Sequence, residues 1–141
     1  MRWRVPALAA VGATTLVAGY FWYALLSPFG YAAPTTPPEI GPGTHAVFVY
    51  GTLRFASIRW LVIRSTADTT PAVLPGYRRD GLDIEPQADS EVRGFVVEVD
   101  ADALRRLDRY ERLGIRYDRV RVTLADGEQA WAYRRLVNDE R

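Results

Sequence analysis

The feature that most constrains this chain is an unbroken apolar run, Ala46 to Tyr50, that stops at Gly51. Its length and its valine and aromatic content suit a central β-strand better than a helical turn. The residues that follow, Tyr50-Gly51-Thr52-Leu53, place glycine where the backbone must approach something closely and threonine where a hydroxyl can hydrogen-bond. Such a turn can aim several backbone N–H groups at an anion. It can equally be an ordinary strand-to-helix turn.

A second motif, Leu107-Asp108-Arg109-Tyr110-Glu111, lies further along. Asp100 is positioned to cap a helix in which Leu104, Leu107 and Glu111 stand at i, i+3 and i+7, with Arg105, Arg109 and Arg112 on the other side. A carboxylate on the apolar face is desolvated, so its pKa rises toward the range where it can accept and return a proton near neutral pH. Glu111 is therefore a candidate general acid/base. The alternative is a structural ion pair with Arg116, Arg119 or another nearby arginine.

Around these motifs the pattern predicts a first helix over about 56–64 and strands over about 72–77, 81–84 and 92–99, with Pro75-Gly76 as a bend or bulge and Gly94 inside the last of these. Residues 117–124 alternate arginine and valine, Asp126-Gly127 is a hairpin signal, and 129–134 is the returning strand. Strands, helices and a closing hairpin in this order read as α+β.

The Tyr-Gly-Thr-Leu turn after a buried strand, the Leu-Asp-x-x-Glu motif, Gly94 in Val92-Arg93-Gly94-Phe95-Val96, Tyr117 and Tyr133 occur in the order found in the gamma-glutamylcyclotransferase-like family. The resemblance covers residues 46–136 and is to the gamma-glutamylamine cyclotransferase type. It implies a small, mostly antiparallel, barrel-like mixed sheet with two helices. It further implies an enzyme of lyase or acyltransferase type that cyclises a gamma-glutamyl compound to 5-oxoproline and releases an amine or amino acid, without a cofactor. In that picture Glu111 is catalytic and Tyr50, Gly51, Thr52 and Leu53 hold the gamma-glutamyl group. Tyr117 and Tyr133 close the pocket with their hydroxyls, or are half-buried strand tyrosines. The loop departs from the family where Arg54 leads into Phe55-Ala56-Ser57-Ile58-Arg59-Trp60 instead of a basic, glycine-rich segment. A membrane-tethered binding module that keeps the pocket without turnover is the competing reading.

From Val5 to Leu26 no residue is charged. A helix of about 22 residues rises about 33 Å, enough to cross a bilayer. Arg2 and Arg4 precede the run, so the positive-inside rule predicts a single-pass anchor over 1–26, the N-terminus cytoplasmic and the domain outside, periplasmic or extracellular. Gly30 and Ala32 also suit a cleavage site, which would give a secreted protein. Residues 27–44, with Pro28, Pro34, Pro37, Pro38 and Pro42, read as a linker to a domain over 45–141.

All 18 basic residues are arginine, and beyond residue 39 the chain carries 16 arginines against 16 acidic residues. This near-neutral balance argues against nucleic acid as a partner. The dense run Arg105, Arg106, Arg109, Arg112, Arg116, Arg119 and Arg121, interleaved with Asp108, Glu111 and Asp118, reads as a solvated face, or less favourably as a patch for anionic lipid headgroups. With no cysteine and one histidine, His45, the chain has no thiolate metal site and no multi-histidine zinc site.

Overall fold

The computed structural model describes residues 4–27, 29–65 and 67–136, and the chain divides into two units, Met1–Ala32 and Ala33–Arg141. The first unit holds helix α1, Arg4–Leu25. The membrane span expected here is overturned: among the described residues no helix is long and apolar enough to cross a membrane. Freedom from charge is not the same as apolarity. The helix is rich in alanine, with Gly12, Gly19, Thr14 and Thr15, and these residues add little of the transfer free energy that leucine, isoleucine and phenylalanine supply. The Thr14 and Thr15 hydroxyls donate back to the Ala10 and Val11 carbonyls at 2.9 Å. The anchor and the placement of the domain outside a membrane fall with the span. Arg2, which entered those expectations, and Pro28, which entered the linker reading, lie outside the described residues.

The second unit is α+β. It runs β1 (Thr44–Val49), a 3-10 turn (Thr52–Arg54), α2 (Ala56–Ile63), β2 (Thr69–Asp80), β3 (Asp83–Asp100), α3 (Ala101–Tyr110), β4 (Tyr117–Thr123) and β5 (Gln129–Arg135). The five strands form one sheet in the order β2-β3-β1-β5-β4. Every pairing is antiparallel except β1 with β5, which is parallel with Val47 opposite Trp131. The sheet curls until its edges approach, and the Ala125 N–H beyond β4 donates to Val73 of β2 at 2.9 Å. Inside the curl lie Phe48, Tyr50, Leu74, Ile84, Val92, Val122, Leu124, Ala130 and Ala132. Strand alternation leaves Val47 and Val49 on the opposite face, toward α3. Both faces of β1 are thus buried, which is why its sequence is a continuous apolar run.

One boundary differs substantially from the sequence pattern. The expected strands at 81–84 and 92–99 fall on the single strand β3, except that Gly81 and Leu82 form the turn before it; the two parts are joined through Glu85–Glu91, a polar, mostly exposed stretch of which Glu85, Pro86 and Glu91 pair with β2. The register slips between Pro75 and Tyr77, where Gly76 sits at φ 78°. Four residues of β3 lie there between the partners of Pro75 and Tyr77, Glu91 and Pro86. This is the predicted bulge, and it bends both strands into the curl.

The segment before β1 is tied to this unit. Arg119 donates to the Pro38 carbonyl at 2.7 Å, and a side chain at Gly114 would come within 2.9 Å of the Pro34 ring.

Candidate active site

The site is built where β1 ends and α3 ends. Asp100 caps α3 by accepting from the Ala103 N–H at 2.7 Å, and the stripe Leu104, Leu107 seats the helix on the sheet with exposures of 0% and 1%. The helix closes at Tyr110, one residue before the position where the periodicity carried Glu111. Its end is a paired-bond reversal: Leu113 N–H donates to Asp108 O at 2.9 Å and Arg112 N–H to Arg109 O at 3.1 Å, with Arg112 in the left-handed region at φ 54°. This is the Schellman arrangement. It makes Glu111 the last residue before the chain turns back, held between the helix and the buried Leu113.

Glu111 is partly buried, and among the described residues no ion pair reaches its carboxylate. Burial pushes its carboxyl up from 4.5 to about 7, opposed in part by Arg116. The negative end of the α3 dipole acts in the same direction as burial. Of the two arginines weighed as structural partners, Arg119 is bound elsewhere. Its Nε lies 3.2 Å from Asp108 Oδ1.

Tyr50 and Tyr117 share the surroundings of Glu111. The Tyr50 phenol is pushed far up by burial first, then by the charges of Asp83 and Glu111. Tyr117 is raised by burial and then by Glu111 and Asp83, against Arg116 and Arg135. The Tyr50 hydroxyl donates to the Tyr133 carbonyl at 2.6 Å, fixing the end of β1 to β5.

The turn after Tyr50 presents different faces. Leu53 is buried in the core, and Thr52 is exposed with its Oγ1 3.2 Å from Tyr110 Oη. Gly51 has φ −99°, outside the left-handed region, and a Cβ built on it meets no atom within 4 Å. Space is therefore open beside the turn. Among the described residues nothing accepts from the N–H groups of Gly51, Thr52 and Leu53. Gly94 explains how β1 fits here: a side chain on it would strike the Val49 carbonyl at 2.5 Å and the Phe48 ring at 2.8 Å.

Tyr133 also lies within electrostatic reach of Glu111. It is 4% exposed and its hydroxyl donates to Asp108 Oδ1 at 2.6 Å. The structure therefore brings Tyr50, Tyr117 and Tyr133 into the surroundings of Glu111, with Thr52 against Tyr110, Leu53 beneath the turn and the Tyr133 hydroxyl engaged by Asp108.

Two acidic residues near the site escaped the sequence reading. Asp108 is 7% exposed, with its pKa raised by burial and held down by the Tyr133 hydroxyl and Arg119. It stands four residues after Leu104, on the stripe that also carries Leu107, and that position was the available signal. Arg119, at 2% exposure, and Asp108 correct the expectation that this charged run is a solvated face. The alternation of 117–124 turns Val120 and Val122 into the curl and Arg119 to the α3 side, where its guanidinium lies 4.5 Å from the Trp131 ring. Asp83 had no such signal. Its Oδ1 accepts from the Arg135 N–H at 3.0 Å, which brings the start of β3 beside Tyr117, the partner of Arg135 in the β4–β5 ladder.

The family model described as "Gamma-glutamyl cyclotransferase, AIG2-like" matches residues 47–140. Protein AIG2 C of Arabidopsis thaliana is 40% identical over 88 residues, a match covering 57% of this chain and 52% of that protein. The chain thus spans about half the length of that relative. A solution structure of an Arabidopsis thaliana protein superposes with TM-score 0.60 at 30% identity, covering 73% of this chain and 68% of that one. A structure titled gamma-glutamyl cyclotransferase superposes with TM-score 0.55 at 17% identity, covering 67% and 68%, and so shares the fold.

Proposed function

The chain belongs to the gamma-glutamyl cyclotransferase, AIG2-like family, and from that premise we propose that it cyclises a gamma-glutamyl compound to 5-oxoproline, with Glu111 as general acid/base. The observation that carries this reading is a partly buried carboxyl at about 7 with no ion-pair partner among the described residues, near a turn whose Gly51, Thr52 and Leu53 N–H groups no described residue accepts. A carboxyl with that pKa is divided between its two forms at neutral pH, as a group that takes and returns one proton per cycle must be.

In the proposed reaction the turn Tyr50–Leu53 holds the glutamyl end through its backbone N–H groups. The Glu111 carboxylate takes a proton from the α-ammonium. The freed amine attacks the γ-carbonyl carbon of the same molecule, forming the ring C–N bond and a tetrahedral oxyanion. When that species collapses, the bond from carbon to the departing nitrogen breaks as Glu111 returns its proton to that nitrogen, and the second proton of the ring nitrogen passes to the released amine, which leaves as an ammonium. Because attack is intramolecular, holding the substrate folded lowers the barrier through proximity. Tyr117 lies within electrostatic reach of Glu111. Peptide, amine and amino-acid leaving groups all satisfy this scheme.

The test is incubation of the full-length chain with a panel of gamma-glutamyl peptides, amines and amino acids while 5-oxoproline release is measured. Release by the wild type and its loss in Glu111→Gln is the expected result. No release from any member of the panel would overturn the assignment.

A further inference from the structure

Arg59 of α2 is a buried cation that the proposed reaction leaves unused. It is 7% exposed, and among the described residues no carboxylate pairs with it. A buried charge requires compensation. Here one guanidinium nitrogen, Nη1, donates to the carbonyls of both Leu53 and Arg54, at 3.1 and 2.6 Å. Those carbonyls are ends of relays. The peptide that carries the Leu53 carbonyl carries the Arg54 N–H, which donates to Gly51 O at 3.2 Å. That carbonyl belongs to the peptide whose N–H is that of Thr52. In the same way the Arg54 carbonyl shares its peptide with the Phe55 N–H, which donates to Thr52 O at 3.0 Å, and that peptide ends in the N–H of Leu53. Two chains of aligned peptides thus run from one guanidinium to the two N–H groups that no described residue accepts. Hydrogen bonds in such chains polarise one another, and each carries part of the cation's charge forward.

We propose that Arg59 is a positioning residue for the turn: it fixes the peptide planes from Gly51 to Phe55 and strengthens the Thr52 and Leu53 N–H groups as donors to an anionic group of the substrate, its α-carboxylate. The inference rests on the reading of the turn as the glutamyl-holding loop. An anion in that position would also be a counter-charge for Arg59, which pairs with no carboxylate among the described residues.

The test compares two gamma-glutamyl substrates, one with a free and one with an amidated α-carboxylate, on the full-length wild type, Arg59→Met and Arg59→Lys. Charge-assisted bonds set the scale: KM for the free carboxylate should rise about ten- to a hundredfold in Arg59→Met, with kcat and the KM of the amide unchanged, and Arg59→Lys should recover part of the loss. Equal rises for both substrates, or a fall in kcat alone, would overturn the proposal. A purely structural role would produce those patterns. If Arg59→Met does not fold, Arg59→Lys carries the test, and an unchanged KM ratio in it counts against the proposal.

Amide resonances of Thr52 and Leu53 supply a readout free of turnover. They should shift on addition of 5-oxoproline to the wild type and shift far less in the variant that folds. No shift in the wild type overturns the role of Arg59. Absent 5-oxoproline release by the wild type defeats the cyclisation instead, and the resonances alone then decide the fate of Arg59.

Discussion

The Tyr133 hydroxyl donates to Asp108 Oδ1 at 2.6 Å, so the last strand of the sheet is bonded to the helix turn that ends at Glu111. Arg119 Nε lies 3.2 Å from the same oxygen, and all three residues are buried. Tyr133→Phe removes the hydrogen bond and leaves Asp108 with the arginine alone, which should destabilise the fold by about 1–3 kcal/mol. Asp108→Ala leaves Arg119 buried without its counter-charge and should cost about 3–5 kcal/mol. Urea midpoints at unchanged slope measure both. If Tyr133→Phe unfolds at the wild-type midpoint, the bond contributes nothing to stability.

Glu111 should show opposite effects on stability and on turnover. Its folded pKa of about 7 lies above the ordinary 4.5, so the folded state binds the proton more tightly than the unfolded chain. Its stabilising contribution is complete below about pH 4.5 and is lost as pH rises through about 7. Glu111→Gln removes that loss. At pH 8 the variant should be more stable than wild type by about 1–2 kcal/mol, less than full burial would give because the residue is partly open to solvent. The difference should vanish below about pH 4.5. Turnover should fall by about 10² to 10⁴, and kcat/KM of the wild type should rise through about pH 7. Melting curves that coincide at every pH would mean that the carboxyl is not desolvated.

Gly51 separates binding from folding. Its φ of −99° does not demand glycine and the space beside it is open, so Gly51→Ala should change stability by less than about 1 kcal/mol. The methyl group would stand where the substrate is expected to lie against the turn. Calorimetric titration with a gamma-glutamyl ligand should show weakened binding beside an unchanged melting temperature. Unimpaired affinity would move the ligand away from this turn.

Gly94 should behave in the reverse way. A methyl group there meets a backbone carbonyl, that of Val49, at 2.5 Å as well as the Phe48 ring, and a backbone atom cannot step aside as a side chain can. Gly94→Ala should destabilise by about 1–3 kcal/mol. Because Val49 precedes Tyr50, it should also shift the amide resonances of Gly51 and Thr52. A variant as stable as the wild type would mean that β1 and β3 can separate locally at no cost.

Local chemistry made several parts of this protein legible in its sequence. The Asp100 cap, the Leu104 and Leu107 stripe, the Pro75-Gly76 bulge, the Asp126-Gly127 hairpin and the break of β1 at Gly51 each depend on residues close together in the chain, and their periods and φ preferences act over that range. The uncharged run near the N-terminus misled for a related reason: charge is visible residue by residue, whereas crossing a membrane depends on summed apolarity. Tertiary structure decided the rest. Glu85, Pro86 and Glu91, in a polar stretch, stay within β3 because their backbone pairs with Arg78, Tyr77 and Pro75 of β2, whatever their side chains prefer. The parallel pairing of Val47 with Trp131 brings distant segments side by side. The burial of Asp108 and Arg119 follows from partners that only the folded chain supplies. A charged residue reads as solvated until another part of the chain provides the bonds that replace water, and those bonds are long-range by nature.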